Sequence, residues 1–549
     1  MKASDTKIRI FLEGTKQFIV PLFQRTYSWK KENIQKLWED LEDTKNDKES
    51  THFFGSFVTM PVPSSASSVS QYTIIDGQQR LITIFIFLAA LRNRIIEINP
   101  EYERKDEINE LYLINKYHPE DKYKVIPTQA DRNVFFTILN EVNPVVDNNH
   151  LVAETYKFFK NEKLSKINDL NYLVSLKDTL LSEFSVVDIR LENDDDPYLI
   201  FESLNATGTP LTQADLVRNY LFMRINQNNQ QDVYNTIWFP MQQNLQDKLE
   251  DFIRHYLAMD GNIPNYNKIY TTFKKIVDNK AKSEEDVIDI MKELLKYSEY
   301  YHTFLHPEKE SIEKLKKYFE KFNRLEVTTS YPLLLKLYDD YTNKKLSVDD
   351  FAECLQAIET YIVRRAVCGI PTNVLNKYFP TIYNSLDQTD VAHSLKDILN
   401  RGTGARRMPD DYEFKQCLQE RNLFGSRILQ YLLEELERYN NKEVVDFEKL
   451  QIEHIMPQTL SDEWKKELGS NWELIYQKYL DTLGNLTLTG YNPEYSNKLF
   501  TEKRDMKKGF KDSGLQLNRD LAKLERWTEK EILDRATELS AIALKIWSI

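Results

Sequence analysis

Cysteine is scarce. The 549-residue chain has 3, Cys354, Cys368 and Cys417, far apart in sequence and without a CxxC pair. That spacing argues against a disulfide framework and a Cys-rich zinc site, and fits small apolar residues in a reduced interior. Glycine (14) and proline (18) are also few, which excludes fibrous and linker-rich classes. No apolar run can span a bilayer. The most apolar stretch, residues 81–91 (LITIFIFLAAL), falls well short of the roughly 20 residues required and reads as a buried helix. The start, MKASDTKIRIFLEG, has neither the apolar core nor the small-residue cleavage site of a signal peptide. These absences predict a cytoplasmic protein with no membrane partner. Positive charge is in deficit too, with 73 Lys and Arg against 85 Asp and Glu, a net charge of −12. Non-specific nucleic-acid affinity comes from Lys and Arg neutralising phosphates, so composition alone argues against a general nucleic-acid binder.

What is present is ordinary for a globular protein: 41 % hydrophobic and 29 % charged residues, at a length that suggests roughly three domains. Residues 53–60 (FFGSFVTM), 72–75 (YTII) and 185–191 (SVVDIRL) predict strands. Residues 18–23 (FIVPLF), interrupted by Pro21, predict an edge strand or a loop. Residues 33–42 have helical period, with Ile34, Leu37, Trp38 and Leu41 on one face. From about residue 226 to 440, apolar residues recur at three- and four-residue spacing in segment after segment. The last segment changes again, to a short β-like run, a Gly-Asn turn and basic helices. The predicted class is α+β and predominantly helical, in three segments: 1–225, 226–440 and 441–549.

Three N-terminal stretches carry candidate chemistry. Asp76-Gly77-Gln78-Gln79-Arg80 lies between a strand and the apolar helix. A helix N-terminus there offers free N–H groups and a positive dipole end to an anion. Arg80 can grip phosphate, Asp76 can orient a sugar hydroxyl or Mg²⁺, and Gln78 and Gln79 can position water or read a base edge. The second stretch, 21–29 (PLFQRTYSW), sets Gln24 and Arg25 among Phe23, Tyr27 and Trp29, a combination that can hold phosphates and stack bases. The third, 201–212 (FESLNATGTPLT), offers Asn205 as a ligand contact and Thr212 as the N-cap of a helix bearing Asp215 and Arg218. Each also has a purely architectural reading: a capped turn, an aromatic-anchored loop and a helix start.

The C-terminal segment holds IEHIMPQ (452–458), LGNLTL (483–488) and YNPEYSNKLFTEK (491–503). A lone His on an apolar strand is usually a core residue. The order here nevertheless suits a ββα-metal nuclease, which needs a base, a cation on the scissile phosphate and positioning groups. His454 is the candidate base. Glu453 can hold Mg²⁺ if the strand kinks toward Pro457. Asn485 can orient the loop, Asn492 or Asn497 can complete the metal shell, and Lys503 can steady the phosphate. From 496 to 530 there are ten basic and six acidic residues, a local 10 − 6 = +4 inside the acidic chain.

The three N-terminal stretches together resemble the N-terminal domain of the GmrSD-type restriction endonucleases, through Phe18, Val20, Pro21, Phe23, Gln24, Arg25, Tyr27 and Trp29, all of 76–81, and Phe201, Leu204, Asn205, Gly208, Pro210, Leu211, Asp215 and Leu216. The C-terminal motifs resemble the HNH-type domain fused to it in single-chain relatives, and 361–376 looks like their helical connector. The resemblance implies a ParB/sulfiredoxin-like domain that binds and hydrolyses an NTP, with GTP, ATP and CTP not distinguished, and senses DNA, including modified phage DNA. It implies an HNH-like domain that cuts DNA with Mg²⁺ or Mn²⁺, no structural zinc, and leaves a homo-oligomer open. The third HNH position is Asn or Lys rather than His, so the metal-ligating Asn is not fixed. The alternatives are a nucleotide-dependent regulatory protein or an NTPase toxin with an inert HNH-like segment, or a nuclease acting on RNA.

Overall fold

The N-terminal strands form one mixed sheet. In the computed structural model, which describes residues 1–22, 24–47, 51–62, 69–146, 150–192, 195, 212–441 and 445–549, these strands are β1 (Lys2–Lys7), β2 (Lys16–Ile19), β3 (His52–Pro61), β4 (Ser70–Asp76), β5 (Val125–Ile126) and β6 (Phe184–Arg190). Their spatial order is β1-β6-β3-β4-β2-β5. The β1–β6 and β3–β4 pairs are antiparallel and the other three are parallel. Of the two readings of 18–23, the edge strand is corrected and the loop holds over 20–22: the strand ends at Ile19 and is paired on both sides, by β4 and β5. Pro21, which has no N–H to donate, lies beyond its end.

Alternation sorts the sheet's side chains onto two faces. Phe57 and Ile74 enter the main core, and their neighbours Val58 and Ile75 enter a smaller one. The main core is built on the Gln78–Ile98 helix, in which residues 81–91 are all buried. The apolar run is therefore explained by packing, at roughly 1.5–3 kcal/mol for each large side chain removed from water. The opposite face receives Leu216, in the first turn of the Gln213–Phe222 helix, and Met223, its C-cap.

By internal contacts the chain forms two units, Met1–Pro240 with Tyr270–Lys292, and Met241–Ile269 with Glu293–Ile549. The segment boundary at 225 lies inside the first and that at 440 inside the second. Among the described residues the second unit is helical apart from one antiparallel strand pair, β7 (Gln451–His454) and β8 (Leu486–Thr489), which sets His454 opposite Leu486, with helices Asp462–Leu468 and Trp472–Tyr479 in the connection between them. All four β8 residues are buried. Short helices Asn492–Tyr495 and Phe500–Asp505 follow. The class is thus α+β and predominantly helical, as the sequence predicts. No helix among the described residues is long and apolar enough to cross a membrane. One expectation fails: Cys354 is buried, but Cys368 and Cys417 are only half-buried, and folding brings them together.

Candidate active and nucleotide sites

In the first unit, β4, flanked by β3 and β2, ends at Asp76 and the chain turns at Gly77 into the Gln78–Ile98 helix. Gly77 is required twice over. Its φ is 94°, and a Cβ there would sit 2.5 Å from the Phe57 ring and 2.9 Å from the Ser56 carbonyl oxygen. The motif side chains divide into two kinds. Gln79 accepts from the Ser28 N–H (2.8 Å) and donates to the Thr26 carbonyl (3.2 Å), while Gln24 Nε2 donates to the carbonyls of Ile74 (2.7 Å) and Ile75 (3.0 Å). Both therefore brace the loop of the second motif against strand and helix. Tyr27, expected among base-stacking aromatics, is instead core. It is buried, with its hydroxyl 2.7 Å from Thr83 Oγ1 and its N–H on Asp131 (2.8 Å). Burial pushes its phenol up to about 12.

The other kind keeps capacity for a ligand. Gln78 Oε1 and Arg80 Nε are buried and have no partner among the described residues. Arg80 Nη2 donates to the Ser56 carbonyl (2.6 Å) and to Asp76 (3.1 Å). Arg25 makes no ion pair within 4 Å among the described residues. Burial lowers its pKa, Asp215 and Asp76 favour its charge, and Arg218 opposes it. Asp215 pairs with Arg218 (2.7 Å) and closes a capping box with Thr212. Arg25, Asp76 and Asp215, one from each of three stretches far apart in sequence, thus share one electrostatic neighbourhood at the helix N-terminus. Asn205, with Phe23, Phe201, Leu204, Gly208, Pro210 and Leu211, lies outside the described residues.

In the second unit, a cleft of about 410 Å³ is lined by Glu453, His454, Asn492, Ser496, Asn497 and Phe424, among others. His454 ends β7, and its Nε2 lies 2.9 Å from Asp481 Oδ1. Phe424 packs edge-on against the ring at 4.4 Å. Burial lowers the His454 pKa, Asp481 raises it, and Lys503 opposes the charge. An Nε2–H directed at Asp481 leaves Nδ1 as the basic nitrogen. Asp481 is held in turn by Asn422 Nδ2 (3.1 Å) and by the Leu423 N–H on its carbonyl (2.9 Å). Sequence reasoning missed Asp481. The available signal was a carboxylate two residues before LGNLTL, between Leu480 and Thr482.

Lys503 does not reach the cleft as expected. It is 0 % exposed and donates to Glu453 (2.6 Å) and to the carbonyls of His454 (2.8 Å) and Ile455 (3.2 Å). An ammonium has three donors, and all three are engaged. Burial pushes the Glu453 carboxyl up and the Lys503 ammonium down, and each is the chief counterweight to the other. Asn485 is likewise fully engaged. It accepts from Met456 N–H (2.7 Å) and the Trp527 indole (3.0 Å) and donates to the carbonyls of Met456 (3.0 Å) and Leu480 (2.8 Å). It ties the main chain at Met456, just after His454, to the turn before β8. Asn492 is anchored by Nδ2 on the Ile452 carbonyl (3.0 Å), and Asn497 is exposed. Between them, Ser496 takes φ 47° and ψ −136°, a strained conformation that re-aims the chain along the cleft. The basic run is less free than its charge suggests, because Arg504, Lys511, Lys523 and Arg526 are paired with carboxylates. Lys507 and Lys508 are exposed.

Residues 8–222 match the GmrSD restriction endonuclease N-terminal domain, and residues 408–542 match the GmrSD restriction endonuclease C-terminal domain. No curated protein matches the chain. With one matched domain around the Asp76–Arg80 turn and the other around the His454 cleft, the chain belongs to the GmrSD restriction endonuclease family.

Proposed function

We propose that this restriction endonuclease of phage defence cuts DNA at the His454 cleft with a divalent cation and is regulated by a nucleoside triphosphate bound at the Asp76–Arg80 turn. The observation that supports the reading most is the His454–Asp481 contact at 2.9 Å inside a cleft whose other polar walls are oxygen donors. Asp481 orients the imidazole and favours a proton on Nε2. Nδ1 can then take the proton from a water that attacks phosphorus, and burial keeps the ring neutral before the step. The donor set fits a hard cation: the Glu453 carboxylate and the amide oxygens of Asn492 and Asn497 suit Mg²⁺ or Mn²⁺. When bound, such an ion supplies charge neutralisation at the scissile phosphate. Lys503 favours the ionised form of the buried Glu453 against the upward push of burial, and exposed Lys507 and Lys508 are available to the DNA backbone.

At the other site, Arg25, Gln78 and Arg80 at a 21-residue helix N-terminus suit a polyphosphate. The expected roles of Gln24 and Gln79 become those of loop braces. That the N-terminal sheet is ParB/sulfiredoxin-like and the β7–β8 pair HNH-like belongs to the same proposal, supported by the strand–Gly–helix turn and by the antiparallel β7–β8 pair with the Asn492–Tyr495 helix directly after β8. The test is a digestion panel of unmodified, hydroxymethylated, glucosylated and phosphorothioated DNA, with Mg²⁺ or EDTA and with or without NTP. The expected result is Mg²⁺-dependent cleavage of at least one modified DNA, altered by NTP. Intact DNA in every lane would overturn it.

A further inference from the structure

We propose that Cys368, Glu413 and Cys417 form a binding site for a thiophilic divalent cation such as Zn²⁺, separate from the nuclease cleft. Glu413 and Cys417 are four residues apart on the Asp411–Glu420 helix, so they project from one face. Cys368 caps the C-terminal end of the Val348–Val367 helix. One ligand atom from each of the three lies within 4.8 Å of the other two. Tetrahedral zinc with bonds of about 2.3 Å needs ligands roughly 3.8 Å apart, so the approach required is about an ångström. Two sulfurs select a soft or borderline ion over Mg²⁺. All three residues are half-buried, which gives an ion a route in and leaves a fourth position to water.

Two features oppose the ion, and both can yield. Arg407 forks onto the Glu413 carboxylate, with Nη2 2.7 Å from Oε1. That pair is about a third or more exposed on both sides and contributes little, so the guanidinium can swing into solvent when a cation takes over the carboxylate. Burial, the neighbouring Cys417 thiol and the Glu413 carboxylate push the Cys368 thiol up, while Arg407 favours the thiolate. The thiol also donates to the Glu413 carbonyl (3.9 Å), a contact the metal replaces. Binding therefore breaks two S–H bonds, forms two metal–sulfur bonds and releases two protons to water, so affinity rises with pH. The same helix leads directly to Asn422 and Leu423, which hold Asp481.

The test uses the full chain, reduced and stripped of metal, titrated with Co²⁺ at pH 7.5. The expected result is one near-ultraviolet thiolate-to-cobalt charge-transfer band that saturates at one ion per chain and is displaced by Zn²⁺. The nuclease cleft holds no cysteine, so cobalt bound there gives no such band. Cys417→Ser should abolish the band, Cys354→Ser should keep it, and Glu413→Gln should weaken binding about 10–100-fold. Circular dichroism melting of each variant checks folding. No band in the reduced wild type, or an undiminished band in a folded Cys417→Ser protein, would overturn the proposal. So would a Cys368–Cys417 disulfide that, once reduced, leaves a chain blind to cobalt.

Discussion

The two candidate sites use their polar residues differently. At the Asp76–Arg80 turn, Gln24 and Gln79 are bound to main-chain groups, whereas Arg25, Gln78 Oε1 and Arg80 Nε are not engaged by hydrogen bonds among the described residues. At the His454 cleft, Lys503 and Asn485 are completely engaged behind the wall, whereas His454, Asn492 and Asn497 line the opening. In both places a run that reads as uniformly chemical in sequence separates into side chains that brace the backbone and side chains left open to a ligand. A polar side chain can be close to a site because it holds the backbone that carries the site, and only the hydrogen-bond partners tell the two apart.

That division can be broken or sharpened by substitution. His454→Ala should cost the most, about 10³-fold in cleavage rate, with NTP hydrolysis unchanged in the same sample. Next, Lys503→Ala leaves Glu453 buried and unpaired. It should lower stability by about 3–5 kcal/mol, read from urea unfolding, where exposed Lys508→Ala should change stability little. Arg25→Ala should weaken nucleotide binding by about 10–100-fold, the loss of a charge-assisted contact, with an unfolding curve like the wild type's. Gln79→Ala should do the reverse, losing about 1–3 kcal/mol of stability while the intrinsic phosphate contacts survive. Equal effects of Arg25→Ala and Gln79→Ala on both readouts would erase the distinction between brace and ligand. The smallest effect belongs to Asn492→Ala, which should raise the Mg²⁺ needed for half-maximal cleavage about tenfold.

The sequence shows much of this and hides a definite part. Strands at 53–60, 72–75 and 185–191 are legible because alternation and flanking turns are local. The burial of 81–91 is legible because a run that apolar has nowhere else to go. Motif order along the chain points to both sites. Three things are not legible. Asp481 meets His454 across 27 residues, a distance no periodicity reports. Lys503 looks like a phosphate ligand because its type and place suit one, yet folding turns it inward to a carboxylate 50 residues away. Cys368 and Cys417 look isolated because their helices are separated in sequence and meet only in the fold.

The central claim is that His454, oriented by Asp481, is the base. The most direct measurement is the single-turnover cleavage rate against pH for the wild type and Asp481→Asn. The base must be neutral, and burial holds the His454 pKa below the ordinary 6.5. The wild-type rate should therefore fall only as pH drops below about 6.5 and stay level through neutrality. Asp481 favours the charged ring, so removing its charge should move the midpoint to lower pH. It should also lower the plateau about 10–100-fold as the imidazole loses its fixed orientation. Superimposable profiles for the two proteins would contradict the assignment.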